Sequence, residues 1–478
     1  MQKLEQIHVA CWIFTIALML GLTLPILIQD GMFNDAILYT SVSKNLANGL
    51  GTFWHPYFDP HNVIGISSFH EQPPLAFGIE SIFFKVLGNG MYTERVYVLC
   101  TLFINAGLIK ILWNEIFKGK KLYQLYGWLP VLLWILIPVC FWSYSNNMHE
   151  NTMSIFVLLS IIFIYKGLQS KSFTILKFII GGIFISLAFL TKGFPSLFPL
   201  SLPFLYFIIF KKQTFAAMTF QTSILFLTIG LIACCIYLYP PSRSSLSIYL
   251  FQRAFARIHD AHTVDSRFFI VFRLMSELIP QFIFTTIFLF IAKIKKVSFV
   301  SSDDKRNIIF FFAIAISGTI PLMLTKVQNG FYMVAALPYF GIAFALLNIK
   351  TISILFQKIE DNFALIKKLS FASIAILIGV FLFSFSKIGG ATRDKTLLHD
   401  VYIIGKTIPA FSSCQCSNSE IYTNNEFQCY LVRYFNISYN MQDTNKYIIS
   451  LKDEKMEFNY DVEKYNIGLE NFDLYRRK

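Results

Sequence analysis

Eleven mostly apolar stretches, each close to the length of a membrane span, dominate this 478-residue sequence. They lie near 9–28, 94–117, 124–142, 152–168, 174–191, 195–210, 217–239, 268–292, 307–324, 331–348 and 369–387. A helix needs about 20 such residues to cross the hydrocarbon core of a bilayer. The pattern therefore predicts an all-α polytopic membrane protein.

The composition excludes the main alternatives. Only 14% of the residues are charged and 55% are hydrophobic, whereas soluble domains carry about 25% charged residues. A soluble enzyme, a disordered chain and a disulfide-rich secreted scaffold are all excluded on these grounds. The net charge of +13 would suggest nucleic-acid binding in a soluble protein, but here it has to be read against the membrane.

The basic residues lie in alternate connections between the predicted spans. They cluster at 118–121, 166–171, 211–212, 293–306 and 350–368. Because cytoplasmic loops are enriched in Lys and Arg, we predict a multi-pass protein of the cell inner membrane with a cytoplasmic N-terminus. The charge then reports topology, and we expect the bilayer, not nucleic acid, as a partner. If the apolar segment 74–88 also crossed the membrane, the later basic clusters would lie on the outer side. We therefore interpret this segment as an interfacial helix.

The last 91 residues differ from the rest in their polar composition. We predict a transmembrane catalytic domain over 1–387, with 29–93 as its first outer loop and juxtamembrane helices, and a small extracytoplasmic α/β domain over 388–478. Within the latter, 419–423, 436–440 and 446–451 are typical of strands and 425–435 of a helix. Cys414, Cys416 and Cys429 lie outside, and one pair could form a disulfide.

Polar residues of a hydrophobic chain are costly unless they serve a function. On the predicted outer face they form five clusters, at 34–39, 70–75, 146–151, 191–195 and 240–267, the last containing Arg243, Arg253, Arg257, His259, His262 and Arg267. Carboxylates can take a proton from a hydroxyl, and basic groups can hold a phosphate. The layout suits a lipid-phosphate substrate in the outer leaflet.

Six stretches resemble, in order and placement, the GT-C glycosyltransferases of the protein-mannosyltransferase and aminoarabinose-transferase type (family 39/83 type). They are DAILYTSVSKNLANGLG (35–51), EQPPLAFGIESIFFKVLG (71–88), ERVYVL (94–99), HENTMSIF (149–156), FLTKGFPSLFPL (189–200) and NGFYMVAALPYF (329–340). The resemblance implies a GT-C fold and the inverting transfer of a sugar from a polyprenyl-phosphate donor to an acceptor hydroxyl. Acceptors in the wider family are glycans, lipids or proteins.

The resemblance also implies roles for individual residues. Asp35 matches the catalytic carboxylate of the first loop. Glu150 matches the acid that opens the fourth span, where many relatives have Asp, and is the second predicted catalytic residue. Lys192 matches the lysine of K-G-x-P and is expected to contact the lipid phosphate.

The family places a basic residue directly before P-P-L, and this chain has Gln72 there. His70 or Arg257 could supply the missing charge. The remaining candidates for substrate contacts are Tyr39, Lys326 and Tyr332.

Each candidate also has a purely structural interpretation. Asp35 could be an exposed loop acid, Glu150 could stabilise a helix N-terminus, and Lys192 could extend to the interface. The arginines could pair with Asp260 and Asp265. Two carboxylates could bind a divalent metal or work without one, and the residues identify no cofactor. The rival function is a membrane transporter or lipid flippase, although no repeated halves are visible.

Overall fold

The computed structural model describes residues 2–59, 68–170, 174–256, 263–296, 300, 302–360, 362–442, 445–456 and 461–478. Its contacts divide the chain into two compact units. The first comprises Met1–Ile26, Val98–Ser145 and His149–Ser386, and the second comprises Leu27–Tyr97, Asn146–Met148 and Lys387–Lys478. The second unit therefore combines the segment between the first two predicted spans, the short 146–148 segment and the C-terminal region.

Helices dominate the described chain. In order they are α1 Gln2–Leu27, α2 Asn34–Ala47, α3 Leu75–Leu87, α4 Thr93–Ile116, α5 Lys121–Gln124, α6 Trp128–Ile135, α7 Pro138–Tyr144, α8 His149–Gln169, α9 Thr174–Lys192, α10 Leu202–Phe210, α11 Phe215–Leu238, α12 Pro240–Ser247, α13 Phe269–Glu277, α14 Ile279–Ile294, α15 Ser302–Thr319, α16 Leu337–Glu360, α17 Phe363–Phe385, α18 Lys395–Thr407, α19 Ser419–Tyr422 and α20 Asn425–Phe435. Short 3₁₀ segments occupy Leu125–Gly127, Phe194–Ser201, Ile320–Leu324 and Gly330–Ala336, and Ile248–Ala254 is π-helical.

The described helices match the predicted spans. Eight are long and apolar enough to cross a membrane, and two bent pairs bring the number to 10. The eleventh predicted span corresponds to the shorter apolar helix Phe194–Phe210. The chain is therefore a multi-pass membrane protein. The segment predicted as an interfacial helix is α3, which is only 13 residues long.

Prolines explain the two bent pairs. The break of 88° between α6 and α7 falls at Pro138, and the break of 48° between α13 and α14 falls next to Pro280. Proline disfavours helical geometry in the residue before it and lacks the N–H that would continue the helix. Each bend is therefore encoded locally.

The second unit contains a five-stranded sheet. Its strands are β1 Ser413–Cys416, β2 Ser438–Asn440, β3 Tyr447–Leu451, β4 Val462–Tyr465 and β5 Phe472–Arg477. The order is β2-β1-β3-β5-β4, with β1 parallel to β2 and β3, and with β5 antiparallel to β3 and β4. The predicted small C-terminal α/β fold is confirmed.

Three of the four predicted elements of this domain are confirmed as α20, β2 and β3. The predicted strand at 419–423 is wrong, because Ser419–Tyr422 is helical. The Asn418 side chain accepts a hydrogen bond from the Ile421 N–H and so caps that helix. This local capping bond outweighed the strand propensity of the sequence.

Buried ionic contacts join the parts of the second unit. The Arg433 guanidinium of α20 lies 2.8 Å from the Glu94 carboxylate, and both side chains are almost fully buried. Lys44 of α2 donates to the Val432 and Arg433 carbonyls at 2.7 and 3.0 Å, at the C-terminus of α20. A cation there complements the helix dipole. Burial lowers the pKa of Lys44 to about 7.

Candidate active site

Glu150 and Lys192 form a buried ion pair in the first unit. Glu150 lies in the first turn of α8 and Lys192 ends α9. The Glu150 Oε1 is 3.1 Å from the Lys192 Nζ, and the side chains are 0% and 5% exposed. Burying both charges is costly unless they compensate each other, so the pair is a specific feature of the fold. Two residues singled out by the motif order are thus brought into direct contact.

Two glycines, Gly181 within α9 and Gly193 directly after it, allow the close packing around the Glu150–Lys192 pair. A Cβ atom on Gly181 would lie 2.6 Å from the Cγ1 of Ile164, so its absence lets α9 approach α8 closely. The turn after Lys192 depends on Gly193, whose φ of +84° favours glycine. The Ser196 hydroxyl then donates to the Gly193 carbonyl at 2.7 Å. The K-G-x-P motif thus encodes a tight turn behind the lysine.

Tyr249 supports the same turn and was not singled out from the sequence. Its hydroxyl donates to the Lys192 carbonyl at 3.4 Å, and its side chain is buried. Tyr249 lies in the π-helical segment Ile248–Ala254, and π-helical turns are frequent near functional sites. The glycine at position 193 indicates that another group packs closely against this turn. The sequence does not show that this group is Tyr249.

Lys326 and Tyr332 lie in a segment of the first unit that is hydrogen-bonded to residues 263 and 264. The Lys326 carbonyl accepts from the Thr263 and Val264 N–H groups at 3.0 and 3.2 Å. The Asn329 Nδ2 donates to the Tyr332 hydroxyl at 3.5 Å. Both candidate side chains are half-buried.

The buried Gln328 side chain also holds this segment in place, although it was not singled out from the sequence. Its Nε2 donates to the Arg267 and Thr325 carbonyls at 2.9 and 2.8 Å, and its Oε1 accepts from the Ile270 N–H at 2.9 Å. A fully bonded buried amide fixes the surrounding backbone. Gln328 therefore anchors the segment that follows the arginine-rich loop.

The arginines of that loop differ in their surroundings. Arg243 stacks on the Tyr237 ring at 5.6 Å, Arg253 is half-buried, and Arg267 is exposed. The candidate Arg257 lies outside the described residues, as do His259, Asp260 and His262.

Asp35 and Tyr39 lie one turn apart on α2 in the second unit. Asp35 is half-buried in the first turn, where a carboxylate is favoured by the helix dipole. Tyr39 is buried and makes an edge contact with Phe77 at 6.0 Å. The N-terminus of α2 is held by Asn146, whose Oδ1 accepts from the Phe33 N–H at 2.9 Å.

Gln72 and His70 are both buried in the second unit. The Gln72 Nε2 donates to the Tyr39 hydroxyl at 3.3 Å. The His70 Nε2 is 2.6 Å from the Ser68 hydroxyl, and its ring makes an edge contact with His55 at 5.3 Å. The uncharged side chain at position 72 is therefore accommodated by a hydrogen bond to a tyrosine of α2.

Glu80 on α3 carries a buried polar network that sequence reasoning did not find. Its carboxyl group accepts from the Ser43 hydroxyl at 2.7 Å and from the Asn147 amide, which also donates to the Thr40 hydroxyl at 2.9 Å. Burial raises the pKa of Glu80 to about 8. The network links α2, α3 and the 146–148 segment.

Among the described residues, no group of three or more His, Cys, Asp or Glu side chains is arranged to hold a metal ion. All eight cysteines fall in the described part of the chain and are free thiols.

Comparison with known proteins defines the fold. No family model matches the chain, and no curated protein matches its sequence. Among solved structures, ArnT from Cupriavidus metallidurans bound to undecaprenyl phosphate is similar, with a TM-score of 0.62 and 12% identity over 97% of each chain. The apo state of the same protein also gives a TM-score of 0.62, at 10% identity over 97% of this chain and 96% of that one. The Archaeoglobus fulgidus oligosaccharyltransferase in its apo form gives 0.51, at 12% identity over 92% of this chain and 69% of that chain.

The chain has the GT-C glycosyltransferase fold. The resemblance predicted from the order of short motifs is thus confirmed at the level of fold, although sequence identity is only 10–12%. A GT-C fold accounts for both parts of the chain, because the match to ArnT covers the spans and the C-terminal α/β region alike.

Proposed function

We propose that this protein is a membrane glycosyltransferase that moves a sugar from a polyprenyl-phosphate donor to an acceptor hydroxyl. The observation that carries the proposal is the buried Glu150–Lys192 pair, at two motif positions of a chain with an ArnT-like fold. ArnT was solved with undecaprenyl phosphate bound, which supports a lipid-phosphate donor here. The acceptor is a glycan, a lipid or a protein.

Asp35 is the proposed base in this reaction. It would take the proton of the acceptor hydroxyl as the oxygen attacks the anomeric carbon. The bond from that carbon to the phosphate oxygen breaks in the same step, and a single displacement inverts the anomeric configuration. Phosphate leaves as an anion, so no general acid is needed.

Lys192 is the proposed phosphate contact. Its ammonium group would stabilise the charge that grows on the leaving phosphate. Glu150 would keep that ammonium positioned, since its Oε1 lies 3.1 Å from the Lys192 Nζ. The other residues that we propose to bind substrate are Tyr39, His70, Gln72, Arg257, Lys326 and Tyr332.

We further propose that the reaction takes place on the outer face of the cytoplasmic membrane. The basic clusters in alternate loops support a cytoplasmic N-terminus and an extracytoplasmic C-terminal domain over 388–478, with the catalytic domain over 1–387. Labelling of single cysteines introduced at Lys120 and Lys478 with an impermeant maleimide tests this. The cells are treated so that the reagent reaches the outer face of an intact cytoplasmic membrane. Only the cysteine at position 478 should then react.

The Asp35→Asn variant tests the function. We expect the wild type to move label from one of a panel of undecaprenyl-phosphate sugars into membrane glycoconjugates, and the variant to lose this transfer while expressing normally. Asp265→Asn, an exposed acid of the outer loop, is the matched control and should transfer normally. Full activity of Asp35→Asn would refute the proposal. Lipid translocation without any covalent transfer would favour the rival transporter or flippase.

A further inference from the structure

A small polar cavity lies within the second unit, and its lining residues are different from those proposed for catalysis. Its volume is about 210 Å³, enough for about seven waters at ~30 Å³ each or for one six-membered ring with its substituents. Besides Tyr57, its wall includes five polar side chains, Asn45, Asp59, Ser413, Asn436 and Ser438. Planar amides, hydroxyls and a carboxylate are the groups that pair with the hydroxyls of a sugar.

The buried part of the wall holds an acceptor that has no hydrogen-bond donor among the described residues. Asn45 is 1% exposed, and its Nδ2 donates to the Tyr57 and Phe58 carbonyls at 3.3 and 3.0 Å. Its Oδ1 accepts no hydrogen bond from the described residues. A buried acceptor left in this state is unfavourable, and the hydroxyl of a ligand would satisfy it.

Phe411 presents an aromatic ring among the lining residues. Its side chain is 70% exposed, although such a ring gains most by burial. Its φ is +63°, which is rare for a residue with a Cβ atom. The Phe411 N–H donates to the Asn436 carbonyl at 2.9 Å, which holds this conformation. An exposed ring in a strained backbone position is typical of a binding site, and the C–H face of a sugar packs well on it.

The charge of the wall argues against an anionic ligand. Asp59 is buried and accepts from the Gln428 amide, and the described lining residues include no Lys or Arg. Lys44 lies nearby, but its three N–H groups are used by the Val432, Arg433 and Asn436 oxygens. A phosphate or a uronic acid would therefore meet a carboxylate in a wall whose described residues offer it no Lys or Arg.

We propose that this cavity binds one uncharged monosaccharide unit of a glycan, stacked on Phe411 and hydrogen-bonded to Asn45 and Asn436. The binding itself is independent of the reaction. A role for this unit as part of the acceptor rests on the proposed glycosyltransferase function.

Saturation-transfer NMR on the full chain in detergent tests the proposal, with the methyl glycosides of glucose, mannose, galactose and N-acetylglucosamine as probes. We expect at least one to bind the wild type at millimolar concentration. Phe411→Gly should weaken that binding about fivefold or more, equivalent to ~1 kcal/mol. This variant is chosen because glycine accepts the positive φ without strain, so folding should be preserved.

Three comparisons complete the design. Phe411→Tyr keeps the aromatic face and should bind as the wild type does. Tyr92→Ala removes an exposed aromatic ring that does not line the cavity and should also leave binding unchanged. Methyl glucuronide should bind more weakly than methyl glucoside. Absence of binding by all four neutral glycosides, equal binding by Phe411→Gly, or preference for the glucuronide would each overturn the proposal.

The outcome separates this inference from the proposed function. Asp35→Asn should lose transfer and still bind the sugar. If the wild type binds a sugar but transfers none, the cavity proposal stands and the proposed glycosyltransferase function is refuted. If it transfers sugar but binds none of the glycosides, the function stands and the cavity proposal is refuted.

Discussion

The Tyr249 hydroxyl occupies the position that a Cβ atom on Gly193 would need, since the two would lie only 1.8 Å apart. The position of the Tyr249 side chain therefore depends on the absence of a side chain at Gly193. Because the same hydroxyl contacts the Lys192 carbonyl, Tyr249 acts as a positioning residue for the lysine that we propose to bind phosphate.

Gly193→Ala should destabilise the protein by about 2 kcal/mol or more, because it combines a positive φ with a steric clash. The measurement is the melting temperature in detergent. Gly49→Ala is the control, since Gly49 has a φ of +80° but no atom within 4 Å of the place where its Cβ atom would lie, so this variant carries the backbone strain alone. In a Tyr249→Ala background, Gly193→Ala should lower the melting temperature by less. An equal decrease in both backgrounds would show that the contact between the two residues is absent.

Lys192→Met should destabilise the fold by about 3–5 kcal/mol, because it leaves the Glu150 carboxylate buried without its partner. Adding Glu150→Gln should restore much of the melting temperature, while sugar transfer stays lost. Lys166→Met is the control, because the Lys166–Glu115 pair is partly exposed and such pairs contribute about 1 kcal/mol or less. A double variant no more stable than Lys192→Met would contradict this prediction.

Glu80→Gln should change how stability depends on pH. The pKa of Glu80 is raised from 4.5 to about 8 by burial, so the folded protein keeps a proton that the unfolded chain has released. Its contribution to stability is therefore complete below pH 4.5 and falls as pH rises to about 8. The glutamine variant should lack this decline and melt higher at about pH 7. Ser43→Ala, which keeps the carboxyl group, should retain the decline, and a pH profile unchanged by Glu80→Gln would refute the prediction.

Gln328→Ala should loosen the segment that begins at Thr263. It removes the acceptor of the Ile270 N–H and the donor to the Arg267 carbonyl, which costs about 1–3 kcal/mol locally. Hydrogen exchange followed by mass spectrometry should show faster exchange of peptides covering Ile270. Gln213→Ala, which removes a bond to the Pro203 carbonyl instead, should leave those peptides unaffected. Unchanged exchange in Gln328→Ala would mean that other contacts hold the segment.

The sequence predicted the candidate site in part. The motif order selected Glu150 and Lys192, which are in contact, and it selected Asp35 and Tyr39, which lie on one face of α2. It did not find Tyr249, Gln328 or Glu80, because a single tyrosine, glutamine or glutamate has no sequence pattern that identifies its distant partner.

The sequence by itself determined the spans, because hydrophobicity and length are properties of each segment and do not depend on what the segment packs against. It likewise determined the bends at Pro138 and next to Pro280, which are local. Only the tertiary structure decided which polar groups are paired inside the protein. The Arg433–Glu94 contact joins residues 339 positions apart, and such pairs are selected by the cost of burying a charge in the folded chain. The helix at Ser419–Tyr422 shows the intermediate case, where one capping bond reversed a prediction made from propensity alone.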